Sequence, residues 1–143
     1  MPSVKFAVNM FKPMWILLLM GSLALAHPFP TQTAQTQGGR WGLLTPQELK
    51  GQLANKDFIF INTHIPYDGE IASTDLFIPF NTIAEAKNLP DKNAEIVVYC
   101  RSGRMSTLAA QALVKLGYTN VRELKGGFEA WKAAGFALEV KPR

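Results

Sequence analysis

The chain predicts a single α/β domain with a mostly parallel open sheet and helices on both faces. Three observations carry that expectation. Short β-branched runs alternate with segments of helical character along the chain. The clearest strand, "AEIVVYC", leads through a short loop into the clearest helix, "STLAAQALVKLG". The run "FIFIN" at 58–62 is apolar and β-branched, the composition of a buried strand. A length of 143 residues with 48% hydrophobic content suits one compact core and leaves little for a second.

The first 26 residues read as an export signal. Lys5 and Lys12 precede the apolar run "MWILLLMGSLALA", which ends in Ala24-Leu25-Ala26, small residues where a signal peptidase cuts. The run is shorter than the roughly 20 residues that span a bilayer comfortably. Membrane attachment is expected only if this segment stays uncleaved. The expected location is therefore periplasmic or otherwise exported. Removing Lys5 and Lys12 with the signal lowers the formal charge from +4 to +2. The basic residues do not cluster, so nucleic acid is not an expected partner. Residues 27–40, "HPFPTQTAQTQGGR", carry no packable apolar period and read as a flexible leader. The domain is assigned to 41–143.

Within it, "TPQELKGQLAN" opens a helix, with Thr45 as cap, Pro46 in the first helical position and Glu48 three residues after the cap. The polar stretch "THIPYDGEIASTD" reads as a loop. "LFIPF" at 76–80 reads as a short strand that Pro79 confines to an edge or an end, and "NTIAEAKNL" as a short helix closed by Pro90. In the clearest helix, Leu108, Ala109, Ala112, Leu113 and Leu116 are expected on one buried face, with Ser106 as cap and Gly117 as stop. "NVREL" gives a further strand and "GGFEAWKAAG" a last short helix ending at Gly135.

Cys100, the only cysteine, stands at the end of the clearest strand. In open α/β sheets ligands bind beyond the carboxyl ends of the strands. The loop after Cys100 runs into a helix start, where free backbone N–H groups attract negative charge. Arg101 and Arg104 add positive charge, and Gly103 permits a tight turn that aims several amides at one point. Such surroundings favour thiolate over thiol and make a cysteine nucleophilic. The plainer alternative is a small buried hydrophobe at a strand end.

The stretch "VVYCRSGRMS", followed by "AAQALVKLGYTNVRELKGGFEAWKAAG", resembles the single-domain rhodanese-like sulfurtransferases over roughly residues 41–139. The family pattern is a strand, then Cys-Arg-Ser-Gly-x-Arg-Ser, a helix, and a V-x-x-L-x-G-G-x-x-x-W segment. Cys100, Arg101, Ser102, Gly103 and Ser106 match, as do Leu116, Gly117, Tyr118, Val121, Leu124, Gly126, Gly127 and Trp131. Two regions depart from it. Met105 stands where the family has its loop arginine, while Arg104 fills the variable position before it. Upstream, Asn62, His64 and Glu70 stand where the family has aspartate, arginine and histidine.

The resemblance implies a sulfur relay. Cys100 would take the outer sulfur of a donor such as thiosulfate, hold it as a persulfide cradled by residues Arg101, Ser102, Gly103, Arg104, Met105 and Ser106, and pass it to cyanide, a thiol or a protein sulfur acceptor. No cofactor is implied. His64 follows a strand and is an accessory candidate as proton relay or anion contact; the plainer role is a satisfied loop histidine.

Three other readings compete. A phosphatase or arsenate reductase would need an arginine at 106, which is Ser106. A dithiol oxidoreductase would need a second, resolving cysteine. A non-enzymatic persulfide carrier serving one dedicated partner needs neither, and is the alternative to the enzyme. With two histidines and one cysteine, no metal cluster is proposed.

Overall fold

The computed structural model describes residues 32–36 and 39–143; the proposed signal peptide lies outside them. The elements follow in the order β1 (Gln32–Thr36), β2 (Gly39–Leu44), α1 (Pro46–Leu53), β3 (Ile59–Asn62), β4 (Leu76–Phe77), a 3-10 turn (Ile83–Glu85), β5 (Glu95–Tyr99), α2 (Arg104–Lys115), β6 (Asn120–Leu124) and α3 (Gly127–Ala133). The described strands form one sheet in the order β1-β2-β6-β5-β3-β4. Only the β1–β2 pair is antiparallel. The α/β class, the mostly parallel open sheet and the covering of both faces are as the sequence predicts.

Alternate residues of the central strand feed two separate cores. Ile96 and Val98 of β5 join Ile61, Val121 and Trp41 beneath Ala109, Ala110 and Leu113 of α2. Val97 and Tyr99 point to the opposite face, with Phe60, Leu124, Leu49 of α1 and Phe128 and Trp131 of α3. Two-sided burial is why β5 is apolar at successive positions rather than at alternate ones.

Local signals hold where they are local. Thr45 Oγ1 accepts from the Glu48 amide, and the Glu48 carboxylate accepts from the Thr45 amide, a complete capping box at α1. Gly117 closes α2 as expected: its amide reaches the Val114 carbonyl, and the Tyr118 amide reaches that of Leu113.

Three expectations change. Helix α2 starts at Arg104, so Ser106 is inside the helix and Gly103, not Ser106, occupies the cap position. The buried face of α2 is Ser106, Ala109, Ala110 and Leu113, spaced three and four apart. Leu108 lies off that stripe and is 44% exposed. Strand β1 falls within the stretch read as a leader. It pairs with β2 through backbone hydrogen bonds, which need no apolar period. The expected helix after Asn81 is a single 3-10 turn with Ile83 buried.

Candidate active site

Three loops meet at the carboxyl end of the parallel strands: the one after β3, the one after β5 that carries Cys100, and the turn from β6 into α3. The first two are tied at their root, where both the amide and the hydroxyl of Thr63 donate to the Tyr99 carbonyl at 2.8 Å. The third is tied to the second. The Phe128 amide donates to the Cys100 carbonyl at 2.9 Å and the Glu129 amide to the Arg101 carbonyl at 3.0 Å. Both loop carbonyls are thus held by the start of α3.

Cys100 is a free, buried cysteine, 1% exposed. Its Sγ accepts a hydrogen bond from the Gly103 amide at 3.1 Å and lies 3.3 Å from Ser106 Oγ. Gly103 has φ of 111°, in the left-handed region, which lets the chain turn back on the sulfur and enter α2 directly. An amide aimed at a sulfur beside a helix start is suited to a charged sulfur.

The remaining loop residues take distinct positions. Arg101 is exposed, and its Nε pairs with Glu129 Oε1 at 2.7 Å on α3. Ser102 and Arg104 are exposed and line a cleft beside the loop with Gly103, Thr107, Leu43 and Lys125. Met105 is half-buried in the first turn of α2. Ser106 is fully buried. His64 is buried, its ring edge-on to that of Phe128 at 5.4 Å between centroids. Burial pushes its pKa below the ordinary histidine value; Asp68 opposes that and Arg101 adds to it. The site therefore gathers Gly103 and Ser106 around the Cys100 sulfur, while His64 packs against Phe128.

The sequence did not single out Glu123. It is 3% exposed at the end of β6, directly behind the loop. Its carboxylate accepts from Ser106 Oγ at 2.7 Å, from Thr107 Oγ1 at 2.9 Å and from Trp41 Nε1 at 2.9 Å. Burial pushes its pKa up, against the pull of these hydrogen bonds. Nothing in the mixed run Asn120–Leu124 marks Glu123 out, because its partners lie 16, 17 and 82 residues away.

Upstream, Asn62 shapes the loop after β3. Its Oδ1 accepts from the His64 amide and its Nδ2 donates to the Gly69 carbonyl, both at 3.1 Å. Glu70 is 1% exposed and turns to the tail of the chain, where Lys141 and Arg143 both pair with it. The Arg143 guanidinium also lies over the rings of Tyr67 and Phe77.

Residues 45–134 match the family described as the Rhodanese-like domain. The chain is 37% identical over 67 residues to the thiosulfate sulfurtransferase GlpE of Coxiella burnetii, a match covering 47% of this chain and 63% of that protein, just under two thirds of its length. It is 35% identical over 71 residues to the thiosulfate sulfurtransferase PspE of Escherichia coli, covering 47% of this chain and 68% of that one. Among solved structures, it is similar to a rhodanese-like domain protein of Staphylococcus aureus at 28% identity and a TM-score of 0.59. That likeness spans 70% of this chain and 98% of the other.

Proposed function

The chain belongs to the rhodanese-like domain family, and on that premise we propose that it is a sulfurtransferase working through a Cys100 persulfide. The Cys100 thiolate attacks the outer sulfur of a donor such as thiosulfate. A sulfur–sulfur bond forms, the donor's own sulfur–sulfur bond breaks, and sulfite leaves with its electron pair. A thiophilic acceptor, cyanide or a thiol, then attacks the outer sulfur and regenerates the thiolate. The observation that best supports this reading is the Gly103 amide, 3.1 Å from Sγ at the start of α2. A group already aimed at the sulfur can stabilise negative charge there without reorganisation.

Incubation with thiosulfate followed by intact mass measurement tests it. The protein should gain the mass of one sulfur atom, and cyanide should remove that sulfur as thiocyanate. Cys100→Ser should lose both steps. Unchanged turnover in Cys100→Ser would defeat the mechanism. An adduct formed only with a low-molecular-weight persulfide would keep the relay and replace the donor.

Arg101 favours a second reading, a carrier that holds the persulfide for one protein acceptor. Its Nε is taken by Glu129, which leaves less of the side chain for a small anionic donor. A carrier would load in a single turnover yet turn over free thiosulfate poorly. In either case we place the mature domain outside the cytoplasmic membrane, on the strength of the apolar N-terminal run.

A further inference from the structure

We infer that Glu123 sets the polarity of the hydrogen bond between Ser106 and Cys100: its buried carboxylate accepts the Ser106 hydroxyl's hydrogen bond, so the Ser106 oxygen faces the sulfur with a lone pair. The inference rests on the reading of Cys100 as the reacting group and goes beyond it, since it concerns what holds that group at rest.

A serine hydroxyl has one proton to donate. Three acceptors surround Ser106 Oγ: Glu123 Oε1 at 2.7 Å, the Gly103 carbonyl at 3.2 Å and Cys100 Sγ at 3.3 Å. The carboxylate is the nearest and the strongest of them. Its hydrogen bonds from Ser106, Trp41 and Thr107 favour the carboxylate, against the upward push of burial. Trp41 Nε1 has a proton to give and no lone pair to offer, and Thr107 Oγ1 lies within reach of both carboxylate oxygens. Arg104 at the start of α2 and Lys125 just beyond β6 are the charged residues that line the same cleft as Glu123; β2 contributes the uncharged Trp41.

The consequence falls on the thiol. With the Ser106 proton committed to Glu123, the S–H donates to Ser106 Oγ while the Gly103 amide donates to the sulfur. To stabilise a thiolate, the hydroxyl has to leave one anion for the other. Glu123 is thus a positioning residue that acts through Ser106 and restrains ionisation of Cys100, against the loop amide. Glu123→Gln reverses this with little change of shape. Its oxygen can still accept from Trp41, and its amide nitrogen donates to Ser106 Oγ, which frees the hydroxyl to point at the sulfur.

Alkylation of Cys100 by iodoacetamide, followed by intact mass against pH, tests the inference. It reads the thiol itself and needs no sulfur transfer, so it can fail separately from the proposed function. Near pH 7, Glu123→Gln should react roughly threefold faster than the parent or more, and the two rates should converge above about pH 11, where thiols are ionised. Ser106→Ala should also react faster near pH 7, because it removes the acceptor that holds the S–H. A slower Ser106→Ala would mean that the hydroxyl donates to the sulfur, and would overturn the inference even if Glu123→Gln failed to fold. Equal rates in Glu123→Gln and the parent would overturn it as well. So would an equal acceleration by Glu123→Gln in the Ser106→Ala background, since Glu123 would then act across space and not through the hydroxyl.

Discussion

Gly127 touches the carbonyl of Cys100 so closely that no side chain fits between them: a β-carbon there would lie 2.4 Å from the Cys100 oxygen and 2.4 Å from that of Arg101. Both obstructing atoms are backbone, and both are held by amides of α3. Gly127→Ala should therefore displace the loop or α3 and destabilise the fold by about 3 kcal/mol or more. Gly51, inside α1, offers the contrast, with nothing within 4 Å of an added β-carbon. Gly51→Ala should stabilise by about 0.5–1 kcal/mol. Urea titrations of the two variants check the pair, and similar midpoints would refute the close-contact argument.

Acid should release the chain's tail. Burial pushes the Glu70 carboxyl up, but Lys141 and Arg143 outweigh it and hold the pKa below the ordinary 4.5. A carboxylate with a lowered folded value contributes stability that is present above the unfolded value and is lost as pH falls through the folded one. The acid limb of the stability curve should thus include a step below about pH 4.5. Glu70→Gln should remove that step and cost about 1–2 kcal/mol at neutral pH, discounted because both cations are part-exposed. An acid limb identical in parent and variant would contradict this assignment.

The register of the loop arginine should control donor binding. Arg104 lines the cleft beside the loop, whereas Met105 holds the position where the family pattern has arginine. Arg104→Ala should raise KM for thiosulfate about fivefold, and Met105→Arg should lower it. Steady-state rates with thiosulfate and cyanide decide it. If KM is unchanged in both, the anion is bound without regard to arginine register.

The N-terminal run makes its own prediction. Protein recovered from its native host should begin at His27, read by N-terminal sequencing. A membrane-bound form that still carries Met1 would rule out cleavage.

What the sequence reveals here follows the range over which each signal acts. The Thr45–Glu48 capping box and the Gly117 stop depend on a few neighbouring residues, and both stand where the sequence puts them. Cys100 is legible because strand end, glycine and helix start are contiguous. The helix cap itself is misread by three residues. Serine is the better cap by preference, but the left-handed turn at Gly103 begins the helix earlier. The packing of α2 on the sheet, with Ala109, Ala110 and Leu113 in the core, leaves Leu108 outward and Ser106 inward. The pairings of Glu123 and Glu70 are not legible for another reason: their partners, Trp41 and Arg143, are brought near only by sheet order and by the path of the tail. Strand β1 is missed because an edge ladder is made by the backbone, whatever the side chains.

The depth of Cys100 also limits what can happen to it. Joining two cysteines requires their α-carbons to come within about 7 Å of each other. Cys100 is 1% exposed, with β3 and β6 on either side of its strand and α3 seated on its loop. Two folded copies would have to open this loop before those α-carbons met. The shape of the site thus opposes covalent pairing of the chain with itself, even in an oxidising compartment. A visitor must be slender enough to present a single atom to the sulfur. Since the chain holds no second cysteine, whatever the sulfur carries can depart only with such a guest.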